Sequence, residues 1–300
     1  MCENEAYSLA ETLLREGIME LDILGGEPML IPYMKHFLTY ATNAGLTVNI
    51  STNGSLPGMV HALAKIPTRL LTIGFSLHGF SDTHNAITRS DNFKSVLEGI
   101  RRSLGEGKHT IVKSVLKTAN RREIRGLIHY LRERGVKTYF LLHEDILGRK
   151  NQTESLSFPD FMTYFSALRS ELHDVIDIGF VAASGFFKYG MLVHGRCDAG
   201  TGKLAVLPDG STFPCNLLFG FREFCLGNIL RDNIETILKH PVLQKFRTLP
   251  GNICKSSNCI YSANCSGGCP AHSYAFYRDI GIRDPRCRND KRDPKKNGNI

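Results

Sequence analysis

The sequence has no apolar run approaching the roughly 18 residues that a membrane-spanning helix needs. Its start, Met1-Cys2-Glu3-Asn4-Glu5, has neither the basic opening nor the apolar stretch of a secretory leader. The expectation is therefore a cytoplasmic protein with no membrane partner. No short repeat or low-complexity segment is present. No nucleic-acid-binding module accompanies the formal charge of +8, whose excess sits largely in the tail from Arg286 to Lys296 and in Arg121-Arg122 and Arg132 to Arg134. Such short basic runs read as a solvated surface, so no specific nucleic-acid partner is expected. Cysteine is missing between Cys2 and Cys197.

What is present begins with mass: 300 residues, 42% of them hydrophobic, can bury a substantial core as one large domain or two smaller ones. Of nine cysteines, all but Cys2 fall between Cys197 and Cys287, and that asymmetry divides the chain into two regions. In a secreted protein such density would read as disulfides. Without a leader it reads as thiolate ligation of a metal or an iron-sulfur cluster. Cys2, isolated at the terminus, reads as an ordinary thiol.

The first region alternates strand and helix patterns. After a helix over about Glu5 to Arg15, strand signals recur at Met19 to Leu24, Leu46 to Ile50, Leu70 to Phe75, Thr110 to Leu116 and Lys137 to Leu142. Helical patterns lie between them at Pro32 to Ala44, Met59 to Ile66, Asn92 to Leu104 and Arg121 to Arg134, with Gly45, Gly107 and Gly135 placed as C-terminal stops. Repeated βα units predict a parallel sheet with right-handed crossovers, either open or curved toward a barrel; periodicity does not separate the two. Gly148 to Ser157 reads as a linker before a helix at Phe158 to Leu172. The expected division is a barrel-like domain over 1–150, a helical connection over 151–190 and a cysteine-rich domain over 191–300.

In such folds chemistry gathers where loops leave the C-terminal ends of the strands. Three loops do so here: Gly25-Gly26-Glu27-Pro28, Ser51-Thr52-Asn53-Gly54 and Ser76-Leu77-His78-Gly79. Adjacent glycines allow a ligand close to the backbone, and Ser51, Thr52, Asn53 and Ser76 offer partners for a ribose or similar polar group. Each motif alone is also an ordinary turn former.

Taken together, and followed by His84 and Arg89, the three motifs resemble the radical SAM family in its peptide-modifying branch. The resemblance implies an α/β fold: a partial (β/α)6 TIM-like barrel, here lacking its first strand, in which Gly25, Gly26, Glu27, Pro28, Ser51, Asn53 and Ser76 bind S-adenosyl-L-methionine. Two departures stand out. Where the family carries an aspartate, this chain has His78, which reads equally as a polar side chain at a loop start. The C-x3-C-x2-C triplet that leaves one iron open for S-adenosylmethionine does not precede Gly25. The chain reads either as a fragment or as a short form without that cluster.

The cysteine-rich end resembles the SPASM (twitch-type auxiliary cluster) pattern. Cys197, twelve residues, Gly210, four residues and Cys215 form one element, with Pro208-Asp209-Gly210 as a hairpin turn that folds Cys215 back toward Cys197. Cys254-x4-Cys259-x5-Cys265-x3-Cys269 and then Cys287 complete it, with a four-residue gap after Cys254 where the family has two. The resemblance implies two 4Fe-4S clusters, one on Cys254, Cys259, Cys265 and Cys287, the other on Cys197, Cys215 and Cys269. The fourth position of the latter is open or filled by His194 or Cys225. Tetrahedral zinc is the physical competitor, because it uses the same thiolate spacings.

The family resemblance thus implies an oxidoreductase acting on a peptide or protein side chain, served by an electron donor such as a flavodoxin or ferredoxin. An intact form would use a third 4Fe-4S cluster to generate the 5′-deoxyadenosyl radical, with the auxiliary clusters taking up the substrate's electron. The alternative is a non-catalytic iron-sulfur binding or electron-transfer module that has lost the radical site.

Overall fold

Alternation within each strand builds a sheet with two unlike faces. Strand β1 (Glu20–Ile23) follows helix α1 (Glu3–Arg15), and helix α2 (Met34–Asn43) leads to β2 (Thr47–Thr52). Then come α3 (Pro57–His61), β3 (Leu71–Ser76), α4 (Ser81–Thr88), α5 (Phe93–Gly105), β4 (His109–Val115), α6 (Ile124–Glu133), β5 (Thr138–Leu142), α7 (Phe158–Leu172) and β6 (Asp177–Val181). The computed structural model describes residues 1–61, 63, 66–147, 155–182, 197–249 and 265–287. It divides into two compact units, Met1–Leu142 with Phe165–Phe180, and His143–Tyr164 with Val181–Ile300.

The first unit holds a six-stranded sheet in the order β1 to β6. Its neighbours pair in parallel from β1 through β5, with Ile23 opposite Ile50, Ser51 opposite Gly74 and Ser76 opposite Lys113. Val48, Ile50, Leu71, Ile73, Phe75, Val112, Tyr139 and Leu141 point to one face and are almost wholly buried. Helices supply the cover: α6 buries Ile124, Leu127, Ile128 and Leu131, the i, i+3, i+4, i+7 stripe of an amphipathic helix. Each such side chain stabilises the fold by roughly 1.5–3 kcal/mol. Gly99 on α5 permits close packing, since a Cβ there would meet Phe75 Cε1 at 2.8 Å.

The other face is polar and half-exposed. Glu20, Asp22, Asn49, Ser51, Thr72, Ser76, His109 and Lys113 line it, with Asn49 Nδ2 donating to Glu20 Oε1 at 2.7 Å and to Asp22 Oδ1 at 2.9 Å. A parallel sheet covered by helices on both sides would read as continuous hydrophobic runs. The alternation here gives one face a polar lining suited to a polar ligand.

Among the elements of the parallel sheet and its helices, two have no counterpart in the sequence reading: α4, and β6, whose Asp177 N donates to Lys137 O at 3.0 Å. Cys2 is exposed as the N-cap of α1, its N–H donating to Glu5 Oε2 at 2.7 Å.

In the second unit, β7 (Ala205–Val206), β8 (Ser211–Phe213) and β9 (Gly227–Asn228) form an antiparallel sheet, followed by α8 (Ile234–Leu238), α9 (Pro241–Arg247) and α10 (Pro270–Tyr277). The hairpin turns where Pro208-Asp209-Gly210 predicts, with Leu207 N donating to Ser211 O at 2.9 Å. Gly210 has φ +86°, and a Cβ there would lie 2.3 Å from Asn228 Oδ1, so backbone conformation and space both demand glycine. Phe224 and Tyr274 cross edge to face at 4.7 Å, joining the hairpin region to α10.

Candidate functional site

The strand-end loops of the first unit converge on one carboxylate. Glu27 Oε1 accepts Thr52 Oγ1 at 2.8 Å and Met29 N at 3.0 Å, while Oε2 accepts Asn53 N at 2.7 Å. Glu27 therefore holds the loop after β1 against the loop after β2. Gly25, at φ +140°, and Gly26 are exposed beside it with nothing within 4 Å of a Cβ, leaving backbone open to a ligand. Pro28 is buried, and Asn53 Oδ1 accepts Ser55 N at 2.8 Å.

A second network ties in the loop after β3. His84, fully buried, accepts His78 N at Nδ1 (3.1 Å) and bonds Asn92 Oδ1 through Nε2 (3.0 Å), and Asn92 Nδ2 donates to Asn53 O at 3.2 Å. Because Nδ1 accepts, Nε2 carries the ring proton, and burial lowers the His84 pKa, keeping the ring neutral. His78 Nδ1 accepts Val115 N at 3.2 Å and its carbonyl accepts Asn120 Nδ2 at 2.7 Å, a positioning role for the loop start. Glu123 fastens the same loop by accepting Phe80 N at 2.8 Å and Thr83 Oγ1 at 2.5 Å.

Ser51 and Ser76 lie on the polar face, and Ser51 Oγ accepts Lys113 Nζ at 2.9 Å. Sequence reasoning passed over Lys113, which within His109–Val115 resembles any outward lysine of an alternating strand. Its distinguishing signal is a glycine two residues before its partner Ser76 on the neighbouring strand: a Cβ on Gly74 would lie 2.6 Å from Lys113 Cε. Burial lowers the Lys113 pKa, opposed by the Asp22 carboxylate. A half-buried ammonium among hydroxyls suits an anionic ligand group.

In the second unit Cys197, Cys215 and Cys269 come together. Burial pushes up the Cys197 thiol, with Cys215 adding to the rise, and pushes the Cys269 thiol well above the usual range, with Asp284 and Cys197 adding. Burial opposes the charge of Lys203, yet Cys215, Cys197, Asp198 and Cys269 together raise its pKa. Cys215 and Cys269 are buried and Cys197 half-buried; thiols that raise one another's pKa are costly as bare thiolates and gain once a metal cation binds them, so the donor set fits thiolate ligation. Cys265 is buried, its Sγ accepting Gly267 N at 3.3 Å, and Cys287 N donates to Asp284 O at 3.0 Å. Cys254, Cys259 and His194 lie outside the described residues. Cys225 Sγ donates to Gly227 O at 3.7 Å.

A buried ionic network, unseen in the sequence, adjoins Cys269. Asp284 Oδ2 accepts Cys269 N and Arg286 Nη2, both at 2.8 Å, and Oδ1 accepts Arg286 N at 2.8 Å and Nε at 3.1 Å. Arg286 also donates to Glu144 O and Asp145 Oδ1 at 3.0 Å each. Burial opposes the Asp284 charge, but Arg286 holds its carboxyl below the ordinary value.

The profile of the radical SAM superfamily matches residues 3–131, and that of an iron-sulfur cluster-binding domain, SPASM, matches residues 197–270. GTP 3′,8-cyclase of Helicobacter pylori is 32% identical over 244 residues, covering 77% of this chain and 75% of the cyclase. The antilisterial bacteriocin subtilosin biosynthesis protein AlbA of Bacillus subtilis is 26% identical over 272 residues, 87% of this chain; the match spans 58% of AlbA. Among solved structures, Streptococcus suis SuiB bound to precursor peptide SuiA superposes with a TM-score of 0.79 at 16% identity, covering 95% of this chain and 69% of SuiB, a likeness of fold. The chain belongs to the radical SAM superfamily, with a SPASM iron-sulfur domain.

Proposed function

We propose that this chain serves a radical SAM/SPASM oxidoreductase that modifies a side chain of a peptide or protein. Reductive cleavage of S-adenosylmethionine supplies a hydrogen-abstracting radical in such chemistry. The residues of this chain bind, orient and exclude water. Gly25, Gly26, Glu27 and Pro28 would hold the methionyl end through open backbone, while Ser51, Asn53 and Ser76 face polar groups of the same ligand. Cys197, Cys215 and Cys269 would hold one 4Fe-4S cluster, and Cys254, Cys259, Cys265 and Cys287 another, each able to pass an electron.

The observation that carries this reading is the gathering of Cys197, Cys215 and Cys269 in the SPASM region of a chain whose strand-end loops are tied by Glu27. AlbA is named for bacteriocin biosynthesis and SuiB is described with a precursor peptide, which supports a peptide substrate. The test is to join the chain to an upstream segment carrying C-x3-C-x2-C, which these 300 residues do not contain, and to co-express it with a short peptide encoded beside the gene. Loss of two hydrogens from the peptide, abolished by Glu27→Ala and by Cys269→Ala, is expected. An unaltered peptide together with a modified small-molecule substrate contradicts the peptide assignment.

A further inference from the structure

The fourth position of the cluster site at Cys197, Cys215 and Cys269 brings in a residue that sequence reasoning did not weigh. His272 is wholly buried in the first turn of α10, three residues after Cys269, so both side chains share one face of the helix. One of its ring nitrogens, the Cys269 sulfur and an Asp284 carboxylate oxygen lie within 4.8 Å of one another.

That trio resembles a metal site, but its hydrogen bonds exclude a mononuclear one. Both Asp284 oxygens are occupied by Arg286 and by the Cys269 N–H. His272 Nε2 accepts Ile146 N at 3.1 Å, while Asp145 Oδ1 stands farther off at 3.5 Å and accepts Arg286 Nη1, so the neutral ring is assigned its hydrogen on Nδ1. Nδ1 is buried and has no hydrogen-bond partner among the described residues. A ring in this tautomer cannot bind iron through Nδ1 without moving its proton onto a nitrogen that already faces an N–H. It can donate.

We infer that His272 is a positioning residue that donates its Nδ1–H to sulfur of the cluster at Cys269, either the thiolate or an adjoining sulfide, and so raises that cluster's reduction potential. The inference rests on the cluster assignment above. A buried N–H without a partner loses water and gains nothing, so the ring is arranged for an acceptor that arrives with the cluster. Reduction adds negative charge to the cluster, and a fixed donor stabilises the more negative state, as hydrogen bonds to cluster sulfur do generally. The fourth iron is then left to another group, and His272 tunes without ligating.

The test uses the anaerobically reconstituted protein and three variants: His272→Leu, which removes the donor, His272→Asn, which restores an N–H near the Nδ1 position, and Cys269→Ser. Expected are full iron content in His272→Leu, a midpoint potential lower than wild type by EPR-monitored titration, and recovery of most of that shift in His272→Asn. Iron loss and an altered signal in His272→Leu matching those of Cys269→Ser would make His272 a ligand and overturn the inference, as would an unmoved potential. Should His272→Leu not fold, pulsed EPR on wild-type protein carrying 15N-histidine decides. A weak nitrogen coupling with an exchangeable proton coupling is expected, and a strong directly bonded coupling, or none, overturns the inference. Wild-type protein that assembles no cluster sinks the site reading as well, whereas a cluster indifferent to His272→Leu sinks this inference alone.

Discussion

Glu27 and Asn53 are joined at 2.7 Å by a carboxylate oxygen accepting a backbone N–H, and the same carboxylate takes the Thr52 hydroxyl. Hydrogen bonds to a charged acceptor contribute about 1.5–3 kcal/mol each. Glu27→Ala is expected to lower unfolding free energy in urea by about 2 kcal/mol and to weaken S-adenosylmethionine binding, by calorimetry, at least tenfold. Glu27→Gln, which keeps the shape but not the charge, should fall between. Unchanged binding in Glu27→Ala would remove the strand-end loops from the ligand site.

Gly210 joins hairpin geometry to thiolate placement, since the turn it closes leads directly to Cys215. With φ +86° and Asn228 Oδ1 at 2.3 Å from a Cβ, Gly210→Ala is expected to destabilise the second unit by roughly 1–3 kcal/mol. It should also reduce iron retained after reconstitution. Normal iron content would separate the hairpin from the cluster site.

The sheet was legible because its strands alternate, and the strand-end loops because glycine, asparagine and proline mark them. Helix α4 was not, since it buries only His84 and so offers no apolar stripe. Strand β6, Asp-Ile-Gly-Phe-Val, carries a glycine where a strand signal weakens, and that glycine faces Phe140 at 2.4 Å from a would-be Cβ. Among the cysteines, the legible part was the Pro208-Asp209-Gly210 turn, where the hairpin leading to Cys215 forms. The Asp284–Arg286 network with Glu144 and Asp145 was invisible because its members lie more than a hundred residues apart and only the fold unites them. Cys254 and Cys259 fall outside the described residues.

His143 makes stability depend on acid. Burial, with Arg286 adding, lowers its pKa from 6.5 to about 4, and its Nε2 lies 3.0 Å from Leu156 O. The unfolded chain takes up this proton first as pH falls, so the contribution is full above pH 6.5 and is lost on descent toward pH 4. From pH 7 to pH 5 the loss is about 2 kcal/mol from this residue. Urea unfolding of wild type and His143→Phe at both values tests it: the variant should lose less by about that amount, and equal losses would contradict the assignment.

The cysteine inventory predicts what this chain does with S-adenosylmethionine and dithionite. With no C-x3-C-x2-C triplet to present an open iron, it is expected to form no 5′-deoxyadenosine above a protein-free control, while still binding the nucleoside. Product above control by chromatography would show that another cluster does the cleavage.

Metal analysis after anaerobic reconstitution tests most directly whether these thiolates hold iron-sulfur clusters. Seven cysteines in the SPASM pattern predict about eight irons per chain with matching sulfide and visible cluster absorbance, falling to about four in Cys269→Ala. Stoichiometric zinc with neither sulfide nor cluster absorbance would contradict it.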